Sequence, residues 1–184
     1  MQLLLPDEIT GDHVRLRPLR DDDGPAYAQA FADDPELGRL LGIERDPDEE
    51  AGRGRAERAR SFAADGVAVE LAVADPETDA FLGDVLMHSF ETVHRRCEAG
   101  FWLAPGARGR GLGTEAVRLA CTWAFDALDL LRIEMTTTPD NPSVPGIARR
   151  LGFVAEGVQR KRNIERGERI DIVLFAVLRE EWAG

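Results

Sequence analysis

The chain of 184 residues holds 23 basic and 34 acidic side chains, which gives a formal net charge of −11. With 43% hydrophobic and 31% charged residues it is neither disordered nor fibrous, and its length predicts a single domain over residues 1–184. The negative balance argues against a nucleic-acid partner, because phosphate contacts need a net positive face, and it suits a cationic substrate.

The expected compartment follows from the N-terminus and the cysteines. The first residues contain no basic segment, and their apolar run is too short for a signal peptide or for a membrane helix of ~20 residues. Cys97 falls in a strand pattern and Cys121 in a helical one, so two reduced thiols are a better interpretation than one disulfide. We therefore expect a cytoplasmic protein with no membrane partner.

The first part of the chain predicts one strand and two helices. Residues 13–19 alternate between apolar and polar side chains, as a half-buried strand does. Acidic residues followed by proline at 21–25 predict the start of a helix. Residues 47–64 predict a second helix, whose dense charges and thin apolar face place it on the surface, beside an opening.

The middle and end of the chain predict an α/β (α+β) fold. Residues 67–74, 81–90 and 97–103 have strand patterns separated by turns. After Gly113 the apolar residues recur at intervals of three and four, which predicts a helix. Two further strands follow at 132–138 and 170–178, with a short helix between them. This order indicates a mixed, mostly antiparallel sheet that contains one parallel crossover.

The most informative segment is the glycine-rich loop at 107–116, between a strand and an amphipathic helix. Its glycines allow a sharp turn and a close approach to a ligand, which the free N–H groups of the next helix would face. Such loops bind phosphate or pyrophosphate. A Walker motif is excluded because the loop has no lysine. A dinucleotide fingerprint is excluded because it normally follows the first strand of a βαβ unit, whereas several strands precede this loop. A turn that only joins strand to helix is the alternative.

The residues from Arg108 to Gly113 match an Arg/Gln-x-x-Gly-x-Gly/Ala signature, and the chain resembles the GNAT superfamily of acetyl-CoA-dependent N-acetyltransferases. It is similar to the RimJ/RimL-type branch, which acetylates the N-termini of ribosomal proteins. The similarity extends in order through 16–19, 100–103, 114–116, 123–125, Asn141, 151–153 and 178–182. It implies the GNAT fold, whose sheet splays between the strand before the glycine loop and the strand after the next helix, with helices on both faces.

The resemblance also implies acetyl-CoA as the cosubstrate, without a metal. Pantetheine would enter the splayed sheet and bond to main-chain groups of the strand, while the loop would hold the pyrophosphate. The cofactor-binding residues so implied are Trp102, Leu103, Ala104, Arg108, Gly109, Arg110, Gly111, Leu112, Gly113, Thr114 and Asn141. An open sheet edge has unpaired groups to offer, and the two loop arginines add positive charge. Taken alone, the Asn-Pro pair at Asn141 is more typical of a turn.

Acetyl transfer to an amine needs a base for the amine and an acid for the leaving thiolate. Glu98 is the candidate base, since many GNAT enzymes carry a glutamate on this strand, and alternation places it on one face with Gly100 and Trp102. A solvent-facing glutamate is the alternative. The RimJ/RimL branch implies Ser143 as the acid, one position earlier than usual, with helix capping as its alternative role. The tyrosine position of other GNAT enzymes holds Ala148.

We expect an N-acetyltransferase that moves acetyl from acetyl-CoA to a primary amine by direct transfer in a ternary complex. The acceptor stays open between a protein N-terminal α-amine and a small cationic amine, such as a polyamine or an aminoglycoside. A non-catalytic acyl-CoA-binding module is a hypothesis from another class. His88 and His94 lack ligand-spaced partners, Tyr27 is interpreted as a packing residue, and the resemblance implies a homodimer.

Overall fold

A mixed sheet forms the centre of the computed structural model, which describes residues 3, 5–41, 43, 47–165 and 167–184. In these residues the sheet has eight strands in the order β1-β2-β3-β4-β5-β6-β8-β7. Only the β5–β6 pair is parallel among the described strand pairs. The strands are β1 (Ile9–Thr10), β2 (Arg15–Pro18), β3 (Ala68–Ala74), β4 (Phe81–Glu91), β5 (Arg96–Leu103), β6 (Arg132–Thr137), β7 (Val154–Glu165) and β8 (Glu168–Leu178).

Helices cover both faces of this sheet. They are α1 (Gly24–Asp33), α2 (Pro35–Leu40), α3 (Glu49–Ala64), α4 (Leu112–Ala127) and α5 (Ser143–Arg150). The apolar sides of α4 and α5 pack on one face in the largest core cluster, which includes Cys97 of β5 and Ala120 of α4. On the other face, Tyr27 of α1 packs against Trp102 of β5, and Ala59 of α3 packs beside β3. The predicted mixed sheet with helices on both faces is therefore confirmed.

Most predicted elements are present, with ends shifted by one or two residues, but β1, α2 and β7 were not predicted. Helix α2 is short, and the Asp34 side chain caps it by accepting a hydrogen bond from the Glu36 N–H at 3.1 Å. Strand β7 is exposed along almost its whole length, so its sequence carries no alternation of apolar and polar residues. Residues of α2 and of β7 both line the cleft that is described below.

The two cysteines are buried and unbridged, as the sequence predicts. Burial raises the pKa of both the Cys97 and the Cys121 thiol, which keeps them protonated and unreactive. None of the helices in the described residues is long and apolar enough to cross a membrane.

Gly83 of β4 has no room for a side chain. Its φ is +150°, and an added Cβ would lie 2.2 Å from the Trp102 carbonyl oxygen and 2.8 Å from Leu103 Cα. Because the obstructing atoms are backbone, Gly83→Ala is expected to lower the free energy of unfolding by about 3 kcal/mol.

Urea denaturation measures this loss. Gly106→Ala is the matched control, because a Cβ there would meet nothing within 4 Å, and it should change stability little. Equal stability of the two variants would contradict the close approach of β4 to β5.

Candidate active site

The site begins where the parallel pairing of β5 with β6 ends. The paired α-carbons are Arg96–Arg132, Cys97–Ile133 and Glu98–Glu134, and no pair follows them among the described residues. Beyond Glu98 the two strands therefore diverge, and β5 keeps hydrogen-bonded contact only with β4 on its other side. This is the splay that the resemblance implies.

The end of β5 presents main-chain groups to the opening. The Ala104 N–H bonds to the Leu82 carbonyl at 2.8 Å, which directs Ala104 toward β4. Since successive residues of a strand face opposite sides, Leu103 directs its N–H and C=O toward the opening. Its carbonyl accepts a hydrogen bond from Arg108 Nε at 2.8 Å. Of the three strand residues predicted to offer backbone groups, Leu103 is therefore the one turned toward the gap.

The three glycines of the loop serve two different purposes. Gly109 and Gly111 have φ values of +77° and +84°, and an added Cβ at either would meet nothing within 4 Å. They permit the turn that the sequence predicts, beside open space. Gly113 instead allows close packing of α4, because a Cβ there would lie 3.2 Å from Ile147 Cδ1 and 3.4 Å from Phe101 Cε2.

The backbone N–H groups of the loop form a run of free donors. No backbone hydrogen bond in the described residues uses the N–H groups of residues 109–113, while the Thr114 N–H bonds to the Gly111 carbonyl at 3.0 Å. The positive end of the α4 dipole lies at the same place. Five consecutive amides beside a helix N-terminus can hold a diphosphate, and the open space at Gly109 and Gly111 fits such a group.

The two loop arginines differ in their surroundings. Arg108 forms an ion pair with Asp34 at 2.6 Å, and this contact lowers the pKa of the Asp34 carboxyl. Arg108 thus joins the loop to the start of α2. Arg110 is exposed, and it does not line the cleft described next.

A cleft of about 1560 Å³ extends from the glycine loop across the splay to α1, α3 and β3. Arg118 of α4 and Arg150 of α5 also line it, and neither was predicted from the sequence. Ala104 does not line it. The predicted cofactor-binding residues that do are Trp102, Leu103, Arg108, Gly109, Gly111, Leu112, Gly113, Thr114 and Asn141.

Glu98 lies in the cleft, at the last paired position before the splay. The Thr136 hydroxyl of β6 donates a hydrogen bond to the Glu98 carboxylate. His88 stands opposite Glu98 on β4, and Gly100 leaves the floor beside them without a side chain. The predicted alternation is confirmed, because Cys97 and its face pack into the core whereas Glu98 is half-buried in the cleft. The geometry leaves its carboxylate accessible to an amine.

Ser143 is the first residue of α5, exposed and at the edge of the cleft. It does not act as the helix cap, since its own N–H donates to Asn141 Oδ1 at 3.0 Å. Asn141 thus forms the turn that an Asn-Pro pair favours while it also lines the cleft. Ala148 is fully buried, so the tyrosine position of other GNAT enzymes faces the core here.

An ionic cluster that the sequence did not predict also lines the cleft. Arg55 Nη2 of α3 contacts the carboxylates of both Glu70 on β3 and Asp84 on β4. The guanidinium lies 4.1 Å from the centre of the Tyr27 ring, and Trp102 Nε1 donates to Asp84. The only signal in the sequence is an acidic residue inside each of two apolar strand patterns. Tyr27 packs as predicted, but it also lines the cleft.

The cluster contains two buried carboxylates and one guanidinium. Burial raises the pKa of Glu70 to about 7, and the neighbouring charge of Asp84 adds to the effect. Burial also raises the pKa of Asp84, although Arg55 and Trp102 oppose this. Keeping the second carboxylate ionised therefore lowers the stability of the folded protein.

Two further sets of polar residues lie outside this cluster, and neither supports a catalytic or a metal site. His94 is exposed in the turn after β4. Asp12, His13 and Glu115 lie close enough to share a cation, but exposed acidic groups of this kind are common without one. The His13 N–H donates to Glu115 at 2.9 Å, which joins the N-terminal segment to α4.

Comparison with known proteins agrees with this geometry. Residues 13–154 match the family model described as "Acetyltransferase (GNAT) domain". The chain belongs to the GNAT acetyltransferase family. It is accordingly an acyltransferase, and the GNAT recognition from the glycine loop is confirmed.

Individual relatives are named N-acetyltransferases, and one of them carries a ribosomal name. "Putative ribosomal N-acetyltransferase YdaF" of Bacillus subtilis (strain 168) is 32% identical over 102 residues, which are 55% of this chain and 56% of YdaF. "Uncharacterized N-acetyltransferase p20" of Bacillus licheniformis is 27% identical over 94% of this chain and 97% of p20. "Mycobacterium smegmatis RimJ in complex with CoA-disulfide" shares the fold, with a TM-score of 0.85 and 22% identity over 97% of this chain and 90% of that structure.

The raised pKa of Glu70 predicts a pH-dependent effect of Glu70→Gln on stability. The folded-state pKa of about 7 lies above the ordinary 4.5, so the stability that the neutral carboxyl contributes is lost as pH rises through about 7. Glutamine cannot ionise. We expect the variant to gain roughly 2 kcal/mol relative to the native chain between about pH 5 and about pH 8.

Urea denaturation at the two pH values measures this difference. Glu57→Gln on the exposed side of α3 is the control and should show no such trend. A constant difference between Glu70→Gln and the native chain would contradict the assigned charge balance.

Proposed function

We propose that this enzyme binds acetyl-CoA through the free amides of residues 109–113 and transfers the acetyl group directly to a primary amine in a ternary complex. The observation that carries the proposal is the run of unpaired N–H groups beside the splay of β5 and β6. RimJ, which shares the fold, is described in complex with CoA-disulfide, and this supports the assignment. When bound, acetyl-CoA supplies an activated thioester.

Several predicted residues receive a role in this proposal, together with two arginines that the sequence did not predict. The loop amides hold the diphosphate, and Leu103 offers its main chain to the pantetheine arm, for which its carbonyl would have to leave Arg108. Glu98 accepts the proton of the attacking amine, directly or through water. Ser143, exposed at the edge of the cleft, gives a proton to the leaving thiolate. Arg118 and Arg150 supply positive charge for the phosphates.

We propose a protein N-terminal α-amine as the acceptor. The name "Putative ribosomal N-acetyltransferase YdaF" supports this choice. Chemistry supports it as well, since freeing an α-amine of its proton at pH 7 costs about 1 kcal/mol, against about 4.6 kcal/mol for a lysine amine. A single carboxylate such as Glu98 is an adequate base for the easier reaction.

A small cationic amine is the second candidate acceptor. The formal charge of −11 and the carboxylates of Glu70 and Asp84 in the cleft favour it. A panel of peptides and small amines, analysed by mass spectrometry, separates the two classes.

The state of the whole protein belongs to the same proposal. We propose a single-domain homodimer in the cytoplasm that acts without a metal and without a nucleic-acid partner. The reduced cysteines support the compartment. The exposed apolar side chains of the edge strand β7, Val154, Val158 and Ile164, support a dimer formed through the C-terminal strands.

Gly111→Ala tests the phosphate loop. At a φ of +84° an alanine is strained, and its Cβ would project into the open space beside the amides. We expect about tenfold weaker binding of CoA, measured by calorimetry. Gly106→Ala, outside the run of free amides, should bind CoA as the native chain does. If the native chain binds no CoA at tens of micromolar, the proposed function is wrong.

Glu98→Gln tests the base. Removing a general base is expected to lower kcat by about a hundredfold, while the affinity for CoA stays the same because Glu98 lies away from the loop amides. Thiol release from acetyl-CoA measures kcat. Ser143→Ala should lower it less, because water can replace a hydroxyl as proton donor. Equal losses of CoA affinity and kcat in Glu98→Gln would indicate a structural role instead.

A further inference from the structure

The cleft has an acidic end, formed by residues of α3, β3, β4 and β5. Among the residues that line this end, three are carboxylates and one is an arginine, namely Glu70, Asp84 and Glu98 against Arg55. The next arginine of α3, Arg58, bonds to the Ala51 carbonyl at 3.1 Å and forms no ion pair with these carboxylates among the described contacts. Its charge acts on Glu70 through space, so three carboxylates face at most two guanidinium groups. This end of the cleft therefore carries a net negative charge.

Glu70 and Glu98 lie on the same face of the sheet, on either side of an open floor. Glu70 is paired with Leu86 on β4, and Leu86 is paired with Gly100 on β5. Glu98 follows two residues from Gly100 along β5. Two strand spacings of ~4.8 Å and one step of ~6.7 Å along the strand place the two α-carbons roughly 12 Å apart. Leu86 offers an apolar surface between the two carboxylates, and Gly100 adds no side chain.

The hydrogen bonds of the cluster leave one carboxylate oxygen free. Asp84 is 3% exposed and receives hydrogen bonds from both Arg55 and Trp102. Glu70 is 15% exposed and contacts Arg55 through Oε1 alone. In the described part of the chain Glu70 Oε2 has no hydrogen-bond partner, and it is not among the atoms sealed from the cleft. Arg55 Nη1 also lacks a partner, but it is buried. An amine substrate in the cleft can therefore reach only the Glu70 carboxylate.

Arg55 cannot neutralise both carboxylates. Its Nη2 atom contacts Glu70 and Asp84 at once, and its guanidinium is held over the Tyr27 ring. The raised pKa values of Glu70 and Asp84 reflect the same excess of negative charge. A second cation that entered from the cleft would meet the free oxygen of Glu70 and remove this excess.

We propose that Glu70 binds the acceptor and selects primary amines that carry a second positive charge. The amine to be acetylated lies at Glu98, the second cation lies at Glu70, and the connecting carbon chain crosses Leu86 and Gly100. The inference rests on the proposed function, because Glu98 marks the reacting end. Two sources share this chemistry, a diamine or polyamine and a peptide whose N-terminal residue is followed by lysine. The two nitrogens of such an acceptor are roughly 6–10 Å apart. This span is compatible with two carboxylates whose α-carbons, those of Glu70 and Glu98, are ~12 Å apart.

The test compares acceptors that differ by one charge, at saturating acetyl-CoA. Putrescine is matched with n-butylamine, and an Ala-Lys peptide is matched with an Ala-norleucine peptide. For at least one pair we expect kcat/KM to favour the dication by about tenfold or more, through KM. The pair that shows the preference identifies the source of the natural acceptor.

Glu70→Gln is expected to bring this ratio of kcat/KM values close to one. Glu57→Gln, on the exposed side of α3, should keep the ratio of the native enzyme. Calorimetry of putrescine and of the Ala-Lys peptide with the CoA-loaded protein gives a readout independent of turnover. At least one of them should bind the native protein about tenfold more tightly than Glu70→Gln.

The failures of the two proposals are distinguishable. An active enzyme with equal kcat/KM for both members of each pair, or with a preference that Glu70→Gln retains, overturns the assignment of Glu70 alone. A protein that acetylates no amine overturns the proposed function, whereas Glu70-dependent binding of a dication to the CoA-loaded protein would still support the site.

Discussion

The loss of pairing between β5 and β6 beyond Glu98 is the constraint on which the site depends. While the strands are paired, their edges satisfy each other, and no ligand can enter. Once they diverge, the edge of β5 needs a new partner, and an extended chain with amide groups can supply one. The same divergence places the start of α4 at the mouth of the gap, where its free amides meet the ligand. One departure from regular sheet geometry thus creates both halves of the proposed cofactor site.

Trp102 connects the opening beside β5 to the ionic cluster of Arg55, Glu70 and Asp84. Its backbone is paired with Asp84 of β4, so it helps to hold the strand that borders the opening. Its ring packs against Tyr27 and Phe31 of α1, and its indole N–H donates to the Asp84 carboxylate. A displacement of β5 by the cofactor would therefore move Trp102, and with it the side chains of the ionic cluster that Trp102 contacts.

The parts of the site that could be predicted are local in sequence. Gly109 and Gly111 predict a turn because glycine readily adopts a positive φ. Strand alternation alone places Glu98 on the open face. The cluster of Arg55, Glu70 and Asp84 could not be predicted, because it joins a helix and two strands whose relative position only tertiary packing decides. Strand β7 could not be predicted because almost all of its residues are exposed, so apolar and polar side chains do not alternate along it.

The cluster is better explained by binding than by stability. A buried ion pair gains little over apolar packing, and a second buried carboxylate next to one arginine adds a cost that the raised pKa of Glu70 records. A protein selected only for stability would replace Glu70 by glutamine or an apolar residue. A site that must attract a cation has a reason to keep the charge, because the free energy that folding spends on an incompletely neutralised carboxylate is recovered when the cation binds. The same reasoning assigns the overall negative charge a lesser role, namely to steer cations toward the cleft without choosing among them.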